Sequence, residues 1–164
     1  MTFNDETKQA AAALLEACRR RNLKLATAES CTGGLIAGLL TAVPGSSSVV
    51  ERGFVTYTNE AKWEMLDVPV ELFAGVGAVS KQVAKAMAEG AVGRSHAQVA
   101  VAVTGVAGPG GGTKKKPVGL VHIAAARSGA ATRHKRYVFK GDRDAVRAKT
   151  VSAAIALLMD VVEA

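Results

Sequence analysis

A chain of 164 residues is the size of one domain and long enough to bury a substantial core. Apolar residues make up 49% of it but aromatics only 4%, so alanine, valine and glycine carry the apolar content and suit close helix-on-sheet packing. No apolar run reaches membrane-spanning length and charge is spread through residues 1–22, so neither a transmembrane helix nor a signal peptide is expected.

The net charge of +7 invites a nucleic-acid partner. The basic clusters are Arg19-Arg20-Arg21, Lys114-Lys115-Lys116 and Arg133 to Arg136. The first two have no interleaved aromatics for base stacking, and no nucleic-acid motif is present. Attraction of a small anionic substrate accounts for the balance equally well. Cys18 and Cys31 fall in different elements without metal-ligand spacing, which fits a reducing cytoplasm and argues against a disulfide.

In chain order, residues 5–21 predict an amphipathic helix, with Ala10, Ala13, Leu14, Ala17 and Cys18 at helical spacing. Residues 23–28 read as a buried strand. A helix over 32–43 ends at Pro44-Gly45, and Ser46 to Ser48 form a turn. Val49 to Tyr57 is a second strand, and Asn59 caps a short helix to Leu66. A loop from Asp67 to Val79 precedes a helix capped by Ser80 and running to Val92. Residues 98–103 form a strand that feeds the loop Thr104 to Pro117. Residues 118–126 and 132–139 predict a hairpin. Asp142 caps a final helix to Val162. Helices interleave with strands early and a strand run comes late, which predicts one α/β domain over 1–164. Its architecture is three-layered, α/β/α, around a mixed sheet.

The segment Thr27 to Gly34 joins a strand to a helix and carries Ser30. A serine there is a helix cap or a nucleophile, and the free N–H groups of the new helix point at the same spot. Gly33 and Gly34 are poor helix formers, which suggests close approach to that backbone, and Thr32 can take over the capping. Cys31 is a competing nucleophile or a small buried residue. None of His96, His122 and His134 has a carboxylate in a triad-like arrangement. Lys62 offers another base: the positive end of its helix and burial both depress a lysine pKa, although a lone lysine there is also an ordinary solvated charge. Tyr57 packs as an aromatic or holds the serine proton. The stretch Thr104 to Gly112 is a flexible connection or a set of N–H groups for an anion, and lacks the lysine-serine ending of a nucleotide P-loop. Arg143 and Arg147, four apart on the last helix, form a solvated face or converge on one anion.

Several ordered motifs together resemble the CinA C-terminal domain family over nearly the whole chain. They are Ala28-Glu29-Ser30-Cys31-Thr32-Gly33-Gly34, Tyr57-Thr58-Asn59-Glu60-Ala61-Lys62, Gly77-Ala78-Val79-Ser80 and Thr104 through Gly111. Lys116-Pro117-Val118-Gly119 and Gly141-Asp142-Arg143 through Arg147 continue the likeness. The resemblance implies hydrolysis of nicotinamide mononucleotide to nicotinic acid mononucleotide and ammonia, with no metal and no organic cofactor. It implies Ser30 as nucleophile, Lys62 as general base, and Tyr57 and Thr104 in support. On that mechanism the N–H groups of Cys31, Thr32, Gly33 and Gly34 hold the oxyanion. Gly105, Gly108, Gly110 and Gly111 with Arg143 or Arg147 hold the phosphate. The chain is expected to be the stand-alone form, with homo-oligomerisation left open. A silent nucleotide-binding module and an amidase of another small anion are the alternatives.

Overall fold

A computed structural model describes residues 3–164. Helix α1 (Asp5–Arg20) leads into strand β1 (Leu25–Glu29), helix α2 (Leu35–Thr41), a 3-10 turn (Ser46–Ser48) and β2 (Val50–Val55). Helices α3 (Asn59–Leu66), α4 (Val70–Ala74) and α5 (Lys81–Gly93) follow, then β3 (Val99–Gly105), β4 (Leu120–Arg127), β5 (Arg133–Val138) and α6 (Arg143–Glu163). The five strands form one mixed sheet in the order β2-β1-β3-β4-β5. β1 runs parallel to both neighbours, and β3, β4 and β5 pair antiparallel.

The two faces of the sheet differ in composition because side chains alternate along each strand. One face presents Leu25, Val99, Val101, Val103, Val121 and Ile123 to α1, α2 and α6. The other presents Ala26, Ala28, Ala100, Ala102, Ala124 and Ala126, against which α5 lays Val83, Ala84, Met87, Ala88 and Ala91. Methyl-sized side chains on both partners let α5 sit close to the strands. This is where the alanine-rich, aromatic-poor composition goes.

The elements predicted from sequence are present, with shifted ends. β1 begins at Leu25 rather than residue 23 and extends to Glu29. α2 begins at Leu35 rather than Thr32, because Gly33 and Gly34 have φ of +57° and +108°, values outside a helix. Thr58, not Asn59, caps α3, its hydroxyl accepting from Ala61 N at 3.0 Å. The expected loop 67–79 contains the single-turn-scale helix α4, started by Pro69. Ser80 and Asp142 cap their helices as predicted.

α5 crosses the end of α3 at Gly90, where an added Cβ would overlap the Leu66 carbonyl. Helix propensity favours alanine over glycine by about 1 kcal/mol, but overpacking of this kind costs about 1–3 kcal/mol. Gly90→Ala is expected to lower stability, read as a fall in the urea midpoint at unchanged m-value. A higher midpoint would mean that the α3–α5 contact yields easily.

Candidate active site

The carboxyl ends of β1, β2 and β3 meet at one edge of the fold, the usual place for a ligand in an open α/β sheet. Thr56 N donates to Glu29 O at 2.9 Å and Ser30 N to Val103 O at 3.2 Å, so the three strand ends are tied together. Ser30 therefore sits on backbone held by ladder-type bonds, although it lies just past β1.

Lys62 comes to Ser30 from the neighbouring strand. β2 ends at Val55, and the short connection Thr56-Tyr57-Thr58 turns into α3, whose fourth residue is Lys62. Its Nζ lies 2.9 Å from Ser30 Oγ, 2.9 Å from Thr56 O and 3.1 Å from Tyr57 O. The side chain is 1% exposed, and burial draws its pKa from 10.5 down to about 8. No carboxylate forms an ion pair with it among the described residues. The arrangement suits a neutral amine: its two N–H groups serve the two carbonyls, and its lone pair is left for the Ser30 hydroxyl.

The cavity over this pair measures about 290 Å³. Of the residues singled out from sequence, Ser30, Cys31, Tyr57, Lys62, Thr104, Gly105, Gly108, Gly110, Gly111 and Arg143 line it. Thr104 Oγ1 donates to Ala78 O at 3.0 Å, joining the end of β3 to the loop before α5. Arg143 donates to Gly108 O at 2.7 Å and to Tyr57 Oη at 3.4 Å, which places its guanidinium beside the glycine loop. Tyr57 differs from expectation in one respect. The residue is 60% exposed and its hydroxyl meets Arg143, while its carbonyl serves Lys62. Asn59, Ala78 and Val79 also line the cavity. Asn59 was hidden by its reading as a cap, a job Thr58 performs.

Four expected site residues lie elsewhere. Thr32, Gly33, Gly34 and Arg147 do not line this cavity. Gly33 N donates to Ser30 O at 3.1 Å, so it is not free for a ligand. The first N–H groups of α2 do not face the site either, because Ile36 N and Ala37 N donate to the Glu29 carboxylate. Arg147 does not converge with Arg143: its Nε and Nη2 each donate at 3.1 Å to the carbonyls of Cys31 and Thr32. It lines a larger cavity of about 890 Å³ beside Leu35 and Phe139, whose lining includes neither Ser30 nor Lys62.

The other candidates from sequence are Cys31 and the histidines. Burial pushes the Cys31 thiol up to about 11, leaving it protonated at neutral pH. No histidine lines the cavity among the described residues. His122 and His134 face each other across β4 and β5 with ring nitrogens 2.9 Å apart, and burial lowers the His122 pKa to about 4. Among the described residues no group of three or more potential ligands is placed for a metal, and no helix is long and apolar enough to cross a membrane.

Comparison with known proteins finds relatives over nearly the whole chain. The model of the CinA C-terminal domain matches residues 7–162. A protein of Pseudomonas putida named nicotinamide-nucleotide amidohydrolase PncC is 53% identical over 85% of this chain and 87% of its own length. A CinA-like protein of Akkermansia muciniphila is 55% identical over 86% of this chain, which spans about a third (34%) of that relative's length. Among solved structures, competence/damage inducible protein CihA from Agrobacterium tumefaciens superposes with a TM-score of 0.96 at 46% identity, covering 100% of this chain and 99% of its own. A CinA superfamily protein from Escherichia coli superposes at 0.91 with 36% identity, covering 98% and 94%. With a family match that runs almost from end to end and a fold shared at this level, the chain belongs to the CinA C-terminal domain family.

Proposed function

We propose that this chain hydrolyses the carboxamide of nicotinamide mononucleotide, giving nicotinic acid mononucleotide and ammonia through an acyl-serine. The observation that carries this reading is the buried Lys62 amine, 2.9 Å from Ser30 Oγ with two backbone carbonyls on its other sides. The name of the Pseudomonas putida relative supports the choice of substrate.

Neutral Lys62 takes the Ser30 proton as Oγ attacks the carboxamide carbon. The oxygen of that carboxamide gains the negative charge. The backbone N–H of Cys31 bonds to no backbone carbonyl among the described residues and follows the nucleophile directly, as an oxyanion donor does. Such a donor contributes about 3 kcal/mol to the transition state. The Lys62 ammonium returns its proton to the departing nitrogen, which leaves as ammonia. Water, deprotonated by the same amine, then cleaves the ester and restores Ser30. Arg143 and the N–H groups of the Gly108 to Gly111 loop suit the 5′-phosphate, through charge-assisted hydrogen bonds at the cavity mouth. The cavity is at the small end for ligand sites, which favours a mononucleotide over a dinucleotide.

The direct test follows ammonia from nicotinamide mononucleotide. Wild-type protein is expected to release it and Ser30→Ala to release none. Binding without release would make the chain a nucleotide-binding module instead. Lys62→Arg is expected to be almost inactive, since arginine does not deprotonate in proteins; rates comparable to wild type would refute a lysine base.

The pH profile has a definite sign. Lys62 must be neutral, and its folded pKa of about 8 lies below the ordinary 10.5. kcat/KM is expected to rise about tenfold per pH unit below that value and to level off above it. A plateau already reached near pH 6 would point to a different base. Arg143→Ala is expected to raise KM for the mononucleotide by about tenfold or more, the loss of one charged hydrogen bond. Turnover of the phosphate-free riboside should change little. Equal losses on both substrates would assign Arg143 to the loop rather than to phosphate.

A further inference from the structure

Glu29 takes no part in the reaction above, yet its carboxylate is fully buried one residue before Ser30. Burying a carboxylate is costly unless donors replace its water. Here Oε1 accepts from Thr32 Oγ1 at 2.6 Å and Ile36 N at 2.9 Å, and Oε2 from Ala37 N at 3.0 Å. No lysine or arginine forms an ion pair with it among the described residues. The charge rests on the first turn of α2, where the helix dipole favours an anion.

This cap is unlike the others in the chain. Asn4, Thr58, Ser80 and Asp142 each cap their own helix from three residues before the N–H they accept. The N-cap position of α2 is Gly34, which has no side chain to offer. Glu29 substitutes from seven and eight residues away, so its carboxylate cross-links the end of β1 to the start of α2. The chain between these two points is the turn that carries Ser30.

The turn is also held from α6, the helix beside α2, by Arg147 on the carbonyls of Cys31 and Thr32. Strand alternation sends Glu29 toward α2 and Ser30 toward α3. One residue thus anchors the backbone on one face of the sheet while its neighbour meets Lys62 on the other. We infer that Glu29 is a positioning residue: through Thr32 and the α2 amides it holds Ser30 Oγ at Lys62, with Arg147 as a second brace on the same turn. It touches neither substrate nor the reacting atoms. A displacement of about 1 Å in such a constellation costs about a hundredfold in rate.

The inference rests on the proposed reaction for its kcat, so the test adds a readout that needs no nucleotide. Glu29→Gln keeps the shape of the side chain but sets an NH2 group against one of the donors. Thr32→Val removes the hydroxyl, and Thr32→Ser restores it. For each variant, kcat and KM are measured by ammonia release, and the rate of Ser30 modification by phenylmethanesulfonyl fluoride by mass spectrometry. Near-UV circular dichroism reports the fold, at a temperature below every unfolding transition.

The expected result for Glu29→Gln is a kcat about a hundredfold down, KM within about twofold, and Ser30 sulfonylation slowed in parallel. Thr32→Val should lose about tenfold on both rates and Thr32→Ser should match wild type. Wild-type kcat and wild-type sulfonylation in folded Glu29→Gln, even with reduced stability, would overturn the inference. If Glu29→Gln does not fold, the Thr32 pair decides: equal rates in Thr32→Val and Thr32→Ser overturn it. If wild type is sulfonylated at Ser30 but releases no ammonia, the amidohydrolase reading fails, and the sulfonylation rates alone decide the role of Glu29.

Discussion

A lysine 1% exposed to solvent, with no carboxylate paired to it among the described residues, is the constraint around which this protein is arranged. Charged, such a group would demand water or an anion. Burial removes the water, and the Thr56 and Tyr57 carbonyls satisfy two N–H groups without neutralising a charge. The balance brings the pKa close to the working range, and the remaining valence of Nζ is directed at Ser30. The basicity is therefore a product of packing: α3 must start immediately after β2, and its first turn must lie over the end of β1.

The unequal faces of the sheet make that packing feasible. On the valine, leucine and isoleucine face, α1, α2 and α6 sit over bulky side chains and build the larger core. On the alanine face, α5 approaches closely and Leu66 of α3 packs with it. The close α3–α5 contact at Gly90 and Leu66 holds the C-terminal end of α3, the helix whose first turn carries Lys62. The third side of the site comes from the end of β3 and the N-terminus of α6. Arg143 binds Gly108 O there and brings positive charge to the mouth of the cavity. Part of the net charge of +7 thus lies where an anionic substrate would meet it.

The strand-to-helix turn at Ser30 departs most from a simple helix-start picture. A serine before a helix ordinarily caps it, and the free N–H groups then face a ligand. Here two glycines at positive φ delay the helix to Leu35, and Glu29 takes up the first amides of α2 from the strand side. Ser30 is relieved of the capping role, and the helix terminus is closed to ligand. Of the residues that follow Ser30 in this turn, Cys31 lines the cavity with it, and Thr32, Gly33 and Gly34 do not.

The sequence by itself determined the element order apart from the short α4, and the mixed sheet, because these follow from local periodicity and caps, while the ordered motifs marked Ser30 and Lys62 as candidates. The glycines at 33 and 34 were legible as an anomaly in a helical pattern, and their backbone angles explain it. Only the tertiary structure decided which way long side chains reach. Arg143 and Arg147 look equivalent on a helical wheel, but one meets the glycine loop and the other meets the back of the serine turn. Tyr57 was named for its hydroxyl, whereas its carbonyl is what Lys62 uses. Glu29 stood inside a quoted motif without a role, since a carboxylate that caps a helix seven residues away has no local pattern to betray it. Periodicity records which residues are buried; partners across 30 or 100 positions depend on how the layers stack, and that is fixed only when the chain is folded.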